Sequence, residues 1–108
     1  MAKITGSDFI KRLHNGEGIP TGPYDHTDPA QPEDYELIVT DSVDLRGQTI
    51  STTKLVFGVI FRGEVDMRDL HVQGSLSLTH CIFEEGLQLG DAEIEGTLSL
   101  DYTTVFSR

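Results

Sequence analysis

The chain has 108 residues, a single cysteine and a formal net charge of −10. This length allows one domain, one cysteine excludes an internal disulfide, and no run of 18 apolar residues predicts a membrane span. The acidic balance argues against direct binding to nucleic acid or anionic lipid and favours a partner with a basic surface. Since the N-terminus lacks a basic-then-apolar signal, a cytoplasmic protein is expected.

The first predicted element is a short helix over residues 5–15. Thr5 or Ser7 can cap its N-terminus, and Gly16 is placed to end it. An amphipathic helix of this length is expected to pack on other elements through its apolar side. That side consists of Phe9, Ile10 and Leu13.

Residues 16–35 are rich in glycine and proline and predict a loop. The run 24–28, Tyr-Asp-His-Thr-Asp, gathers metal-capable side chains within it. A transition metal needs three or four ligands on a fixed frame, and the sequence offers no second cluster. We therefore expect a solvated loop and no metal or other cofactor. Residues 36–40, Glu-Leu-Ile-Val-Thr, predict a strand that leads into the remainder of the chain.

Residues 43–108 divide into six segments of eleven residues. Each segment reads apolar-x-apolar, two spacers, apolar-x-apolar, four spacers, and only Gln48, Lys54 and Thr103 depart from this pattern. Alternation of this kind predicts two very short strands per segment, because a helix would place apolar residues three and four apart. Glycine or aspartate recurs at the expected bends, at Gly47, Gly58, Asp69 and Asp91, and at Gly63, Gly74, Gly86 and Gly96.

Strands this short bury their apolar sides only if successive coils stack on one another. Two segments make a four-sided coil of 22 residues, in which residue i lies on residue i+22. This winding predicts that Phe61 stacks on Phe83 and that Cys81 points inward. The N-terminal helix is then expected to cover the first coil, since an open solenoid end exposes apolar side chains and strand edges.

The repeated stretch resembles the pentapeptide-repeat proteins, in which two inward residues lie two places apart. The matching pairs are Val65-x-Met67, Leu70-x-Val72, Leu76-x-Leu78, Cys81-x-Phe83, Leu87-x-Leu89, Ala92-x-Ile94 and Leu98-x-Leu100. The spacing alternates between five and six, which indicates a divergent branch. The resemblance implies an all-β fold, a right-handed quadrilateral β-helix of about three 22-residue coils over residues 43–108. Residues 1–42 form its N-terminal cap.

No arrangement of side chains predicts catalysis, and we expect no enzyme. His71 and His80 fall on the outside of the coil without a serine or cysteine partner, and Cys81 faces inward. The carboxylate pairs Glu84-Glu85 and Glu93-x-Glu95 lack a cleft that would shift their pKa values. The outward column of Asp44, Asp66 and Gln88 is interpreted as a solvated acidic strip.

Two apolar surfaces are candidate interfaces. The first is the last coil, where the sequence ends without a cap; either this end meets another chain or the chain is part of something longer. Its candidate residues are Leu98, Leu100, Val105 and Phe106. The second comprises Leu55, Ile60 and Ile82, expected to stand near one another on the outside. Either the N-terminal helix or the 16–35 loop covers this patch, or it contacts a partner.

These observations predict a non-catalytic structural or protein-binding module that self-associates as a homodimer through its C-terminal coil. The alternative is an acidic mimic of DNA, because some pentapeptide-repeat proteins resemble a duplex in shape and charge and bind DNA gyrase. Three coils form a rod of only about 15 Å at β-sheet spacing, which is short for that role. A mimic would also need carboxylates in rows along the rod.

Overall fold

The computed structural model describes residues 2–19, 37–100 and 103–106. The run 24–28, and with it residues 20–35 of the predicted loop, lies outside this range. The described residues contain one helix, α1 (Gly6–Asn15), and short strands throughout. The strands are β1 (Ala2–Ile4), β2 (Leu37–Val39), β3 (Val43–Asp44), β4 (Thr49–Ile50), β5 (Lys54–Phe57), β6 (Val59–Phe61), β7 (Val65–Asp66), β8 (His71–Val72), β9 (Leu76–Thr79), β10 (Ile82–Phe83), β11 (Leu87–Gln88), β12 (Glu93–Ile94), β13 (Leu98–Ser99) and β14 (Thr104–Val105).

The strands form four parallel sheets that make the four sides of a solenoid of about three coils. Side 1 has the order β1-β2-β6-β10-β14. Side 2 is β3-β7-β11, side 3 is β4-β8-β12, and side 4 is β5-β9-β13. The predicted fold class is therefore confirmed, because the chain is mostly parallel β-structure wound in stacked coils with one short helix before them.

The register of the sheets reproduces the predicted coil length of 22 residues. On side 2, Val43 pairs with Val65 and Val65 with Leu87. On side 1, the rings of Phe61 and Phe83 stack with centroids 4.7 Å apart and an interplanar angle of 3°. The same register already joins Leu37 to Val59. Side 1 of the solenoid thus includes β2, which was predicted only as a lead-in strand.

One bend in each eleven-residue segment has a left-handed backbone. The φ angles are 68° at Gly47, 67° at Gly58, 60° at Asp69, 53° at His80 and 57° at Asp91. Glycine and aspartate were predicted at these bends because they tolerate this conformation. His80 occupies the same position in its segment, although nothing in its side chain favours it. The stacking of the coils therefore imposes the bend on His80.

The helix α1 covers the first coil, as predicted. The Thr5 hydroxyl accepts a hydrogen bond from the Asp8 N–H at 3.1 Å, and Gly16 ends the helix with φ of 73°. The side chains of Phe9 and Leu13 are buried. The Phe9 ring meets Phe61 edge-on with centroids 5.0 Å apart, so the lid continues the aromatic column of side 1.

The outer face of side 2 carries an Asp-x-Arg ladder rather than a solvated acidic strip. The Arg68 guanidinium donates to both carboxylate oxygens of Asp66, with its Nη2 at 2.6 Å from Oδ2. Arg46 holds Asp44 in the same way at 2.9 Å and lies 3.7 Å from Asp66. The predicted acidic strip is thus neutralised in the first two coils, because residues two apart in a strand share one face.

These hydrogen bonds from arginine lower the pKa of both carboxyl groups, to about 2 for Asp44. A carboxyl whose pKa is lower in the folded chain stabilises the fold above its unfolded value of about 3.9, and the stabilisation is lost as the pH falls through the folded value. We expect Asp66→Asn to lower the unfolding free energy at pH 7 by about 1 kcal/mol, since Arg68 is half-exposed.

The same substitution should flatten the fall of stability between about pH 4 and pH 2. Urea titrations at several pH values measure both effects. Asp44→Asn is the matched control, because that pair is exposed on both sides and should matter less. Equal losses in the two variants would contradict the ladder's dependence on the more buried carboxylate.

Candidate interface at the open end of the third coil

The inward columns of the solenoid are buried in the first two coils and half-buried in the third. On side 2, Val43 and Val65 are 1% and 0% exposed, whereas Leu87 in the same column is half-buried. On side 1, Phe83 is 0% exposed and Val105 above it is 44% exposed. We call this surface the open end. It comprises Leu87, Leu89, Ala92, Ile94, Leu98, Leu100, Val105 and Phe106.

Four of these residues, Leu98, Leu100, Val105 and Phe106, were predicted as an interface. Sequence reasoning missed the other half of the surface. Each missed residue is the last described member of its column, so the 22-residue stacking rule already contained the signal. The prediction considered only the final segment, whereas a four-sided coil exposes both of its segments at an end. The missed residues are Leu87, Leu89, Ala92 and Ile94.

Strand edges surround the open end on all four sides. The strands β11, β12, β13 and β14 are each last in their sheets, and no described strand pairs with their outer edges. Edges of this kind present main-chain N–H and C=O groups that can pair with another chain. At the opposite end α1 packs against β3, so the two ends of the described solenoid differ.

Negative charge is concentrated towards the open end. The residues described after Arg68 include no lysine or arginine, whereas six acidic residues lie there. Three of them form what we call the acidic rim, at and beside β12: Asp91, Glu93 and Glu95. The Glu95 carboxylate lies 2.6 Å from Nε2 of His71 in the coil below. Asp91 and Glu93 are exposed.

The second predicted patch is only partly assembled. Ile60 and Ile82 are register neighbours on side 1, and both are half-buried. Ile38 lies beside Ile60 in the same sheet and is 5% exposed. Leu55 is 55% exposed but belongs to side 4, beside a shallow cleft lined by Leu13 and Ile19. The structure therefore brings two of the three residues together and places the third around a corner.

The histidines do not form a catalytic arrangement with Cys81. His80 lies at the corner between sides 4 and 1 but is buried, with its ring 4.9 Å from that of Phe57. Its burial was not foreseen. Cys81 is fully buried, and burial raises the pKa of its thiol to about 12. Within the described residues, no three histidine, cysteine or acidic side chains are grouped so that they could hold a metal ion.

The raised pKa of Cys81 predicts that the folded chain is inert to thiol reagents, because only the thiolate reacts. We expect negligible labelling at pH 8 without denaturant. The rate should rise to that of a free thiol once urea unfolds the chain. Labelling with a chromogenic disulfide along a urea series measures this change. Rapid labelling of the folded chain would show that side 1 opens locally at the second coil.

The described part of the chain contains no helix that is both long enough and apolar enough to cross a membrane. No protein-family model matches the sequence, and neither a curated protein nor a solved structure shows significant similarity to it.

Proposed function

We propose that this chain is a non-catalytic protein-binding solenoid whose docking surface is the open end, and that a second copy of the chain binds there. One observation carries the proposal. The same inward columns that are 0–1% exposed at Val65, Met67 and Val72 become half-exposed in the third coil. A partner that continues the columns would return these side chains to the environment that their equivalents have in the coils below.

The energetics favour such a contact. Complete burial of one large apolar side chain contributes roughly 1.5–3 kcal/mol, and the half-buried members of the open end would gain part of that. Eight such residues on each of two chains give a gross gain that can exceed the roughly 4–15 kcal/mol cost of association. Pairing of the four strand edges adds main-chain hydrogen bonds.

A second copy suits this surface because of its shape. A partner must offer strand edges on four sides at once, with an apolar interior between them, and the open end of another copy has those features. A two-fold axis perpendicular to the solenoid would place the two ends face to face. This operation reverses the direction of the strands, so the edges would pair in the antiparallel sense.

The molar mass in solution tests the proposal. We expect light scattering to give twice the single-chain mass of 11.9 kDa at tens of micromolar, with dissociation on dilution. Hydrogen exchange should report concentration-dependent protection of amides in β11, β12 and β13. A mass of one chain throughout this range, at every salt concentration, would overturn the proposal.

The proposal includes a divergent pentapeptide-repeat type of coil and a cytoplasmic location. Leu76 and Leu78 are both 1% exposed, and Cys81 and Phe83 are both 0% exposed, which supports paired inward residues two places apart. A buried, unpaired thiol is in keeping with a reducing compartment.

A second candidate is the acidic mimic of DNA that binds a DNA-handling enzyme such as DNA gyrase. The carboxylates that follow Arg68 favour it. The pairing of Asp44 and Asp66 with arginine removes one of the carboxylate rows that a mimic would need. Competition between this protein and duplex DNA for gyrase distinguishes the candidates, because only a mimic should displace the duplex.

A further inference from the structure

We infer that the acidic rim makes docking at the open end dependent on ionic strength, so that two copies bind tightly only where Asp91, Glu93 and Glu95 are screened. This inference rests on the proposed self-association and concerns its regulation. It gives a sign to the salt dependence that differs from the sign for a basic partner.

The rim has little positive charge near it. The described bases all lie in the cap and the first two coils, and the last of them is Arg68. Arg68 is one coil below Gly90 and is engaged by Asp66 through two of its nitrogens. His71 lies directly below Glu93 in the register of side 3, and its ring nitrogen is taken by Glu95. Asp91 and Glu93 therefore have no described cation as a partner.

The other sides of the last coil offer the rim no counter-charge either. Side 2 presents Gln88, side 4 presents Ser99 and side 1 presents Thr104 at this level. Whichever way a two-fold axis turns the second copy, the rim meets neutral residues or another rim. Two-fold docking consequently brings like charges together without compensation, most severely when the two rims face each other.

Salt controls this repulsion. The Debye length is tens of ångströms at about 10 mM salt and about 3 Å at 1 M. Carboxylates across the contact thus repel strongly at low salt and weakly at high salt, while the apolar contact persists. The dissociation constant should fall as salt rises. A partner held by attraction to a basic surface would show the reverse, since screening weakens attraction between opposite charges.

Sedimentation analysis of the full chain in NaCl tests the inference. We expect the dimer dissociation constant to fall about tenfold between about 20 mM and about 500 mM NaCl. In the double variant Asp91→Asn, Glu93→Gln the constant should already be low at about 20 mM and change at most about twofold with salt. Asparagine tolerates the left-handed backbone at position 91, so this variant retains the bend.

The matched control is Asp8→Asn with Glu17→Gln, which removes the same number of charges at the lidded end. It should keep the salt dependence of the original chain. A dissociation constant that rises or stays level with salt, or a control that behaves like the rim variant, would overturn the inference and leave the dimer intact. A chain that is monomeric at every salt concentration would instead overturn the proposed function, and the inference with it.

Discussion

Replacing Leu100 with glutamate should convert the dimer to a monomer, raising the dissociation constant by at least about 100-fold. Leu100 is half-buried at the open end and continues the column of Val56 and Leu78, which are both 1% exposed. A carboxylate there would be buried without a partner when a second copy docks, and an uncompensated buried charge costs several kcal/mol. Light scattering at tens of micromolar measures the change.

Two further variants make the result specific. Phe106→Glu acts at a side chain that is 53% exposed, so it should weaken the dimer while leaving the core of the single chain in place. Ile82→Glu introduces the same charge on side 1, away from the open end, and should leave the dimer intact. A dimer that survives Leu100→Glu and Phe106→Glu but dissociates with Ile82→Glu would transfer the interface to the second patch.

Replacing Phe83 with alanine should lower the unfolding free energy by about 3–5 kcal/mol. The Phe83 side chain is fully buried, and its ring stacks on that of Phe61, which in turn meets Phe9 of the lid. Truncation leaves a cavity in the middle of this column that the rigid strands above and below cannot close. Chemical denaturation at low protein concentration measures the loss apart from any effect of dimerisation.

Val105→Ala is the control for that measurement. Val105 pairs with Phe83 in the same column but is 44% exposed, so its truncation should cost less than about 1 kcal/mol in the single chain. A loss below about 1 kcal/mol for Phe83→Ala would mean that the column does not hold the coils together. A comparable loss for both variants would show that the third coil is as tightly packed as the second.

The coil length could be predicted from the sequence because one period governs the apolar pattern, and the lid because Thr5 and Gly16 give unambiguous capping signals. Half of the open end was missed because the final segment was considered without its companion in the same coil. The Asp-x-Arg ladder was within reach, since Asp66 and Arg68 share one face of a strand. The burial of His80 was not, because it depends on tertiary packing around a corner that a linear pattern does not describe.

The 22-residue register also limits how a chain of this design can change in length. Repeating residues 65–86 would add one complete layer, about 4.8 Å thick, and would present the same neighbours above and below it. Repeating only eleven residues would bring the Phe83 level opposite the column of Ile50 and Val72 and break the aromatic stack. Gene duplication can therefore lengthen this molecule only in whole turns, and each such step would carry the terminal surface outward without altering it.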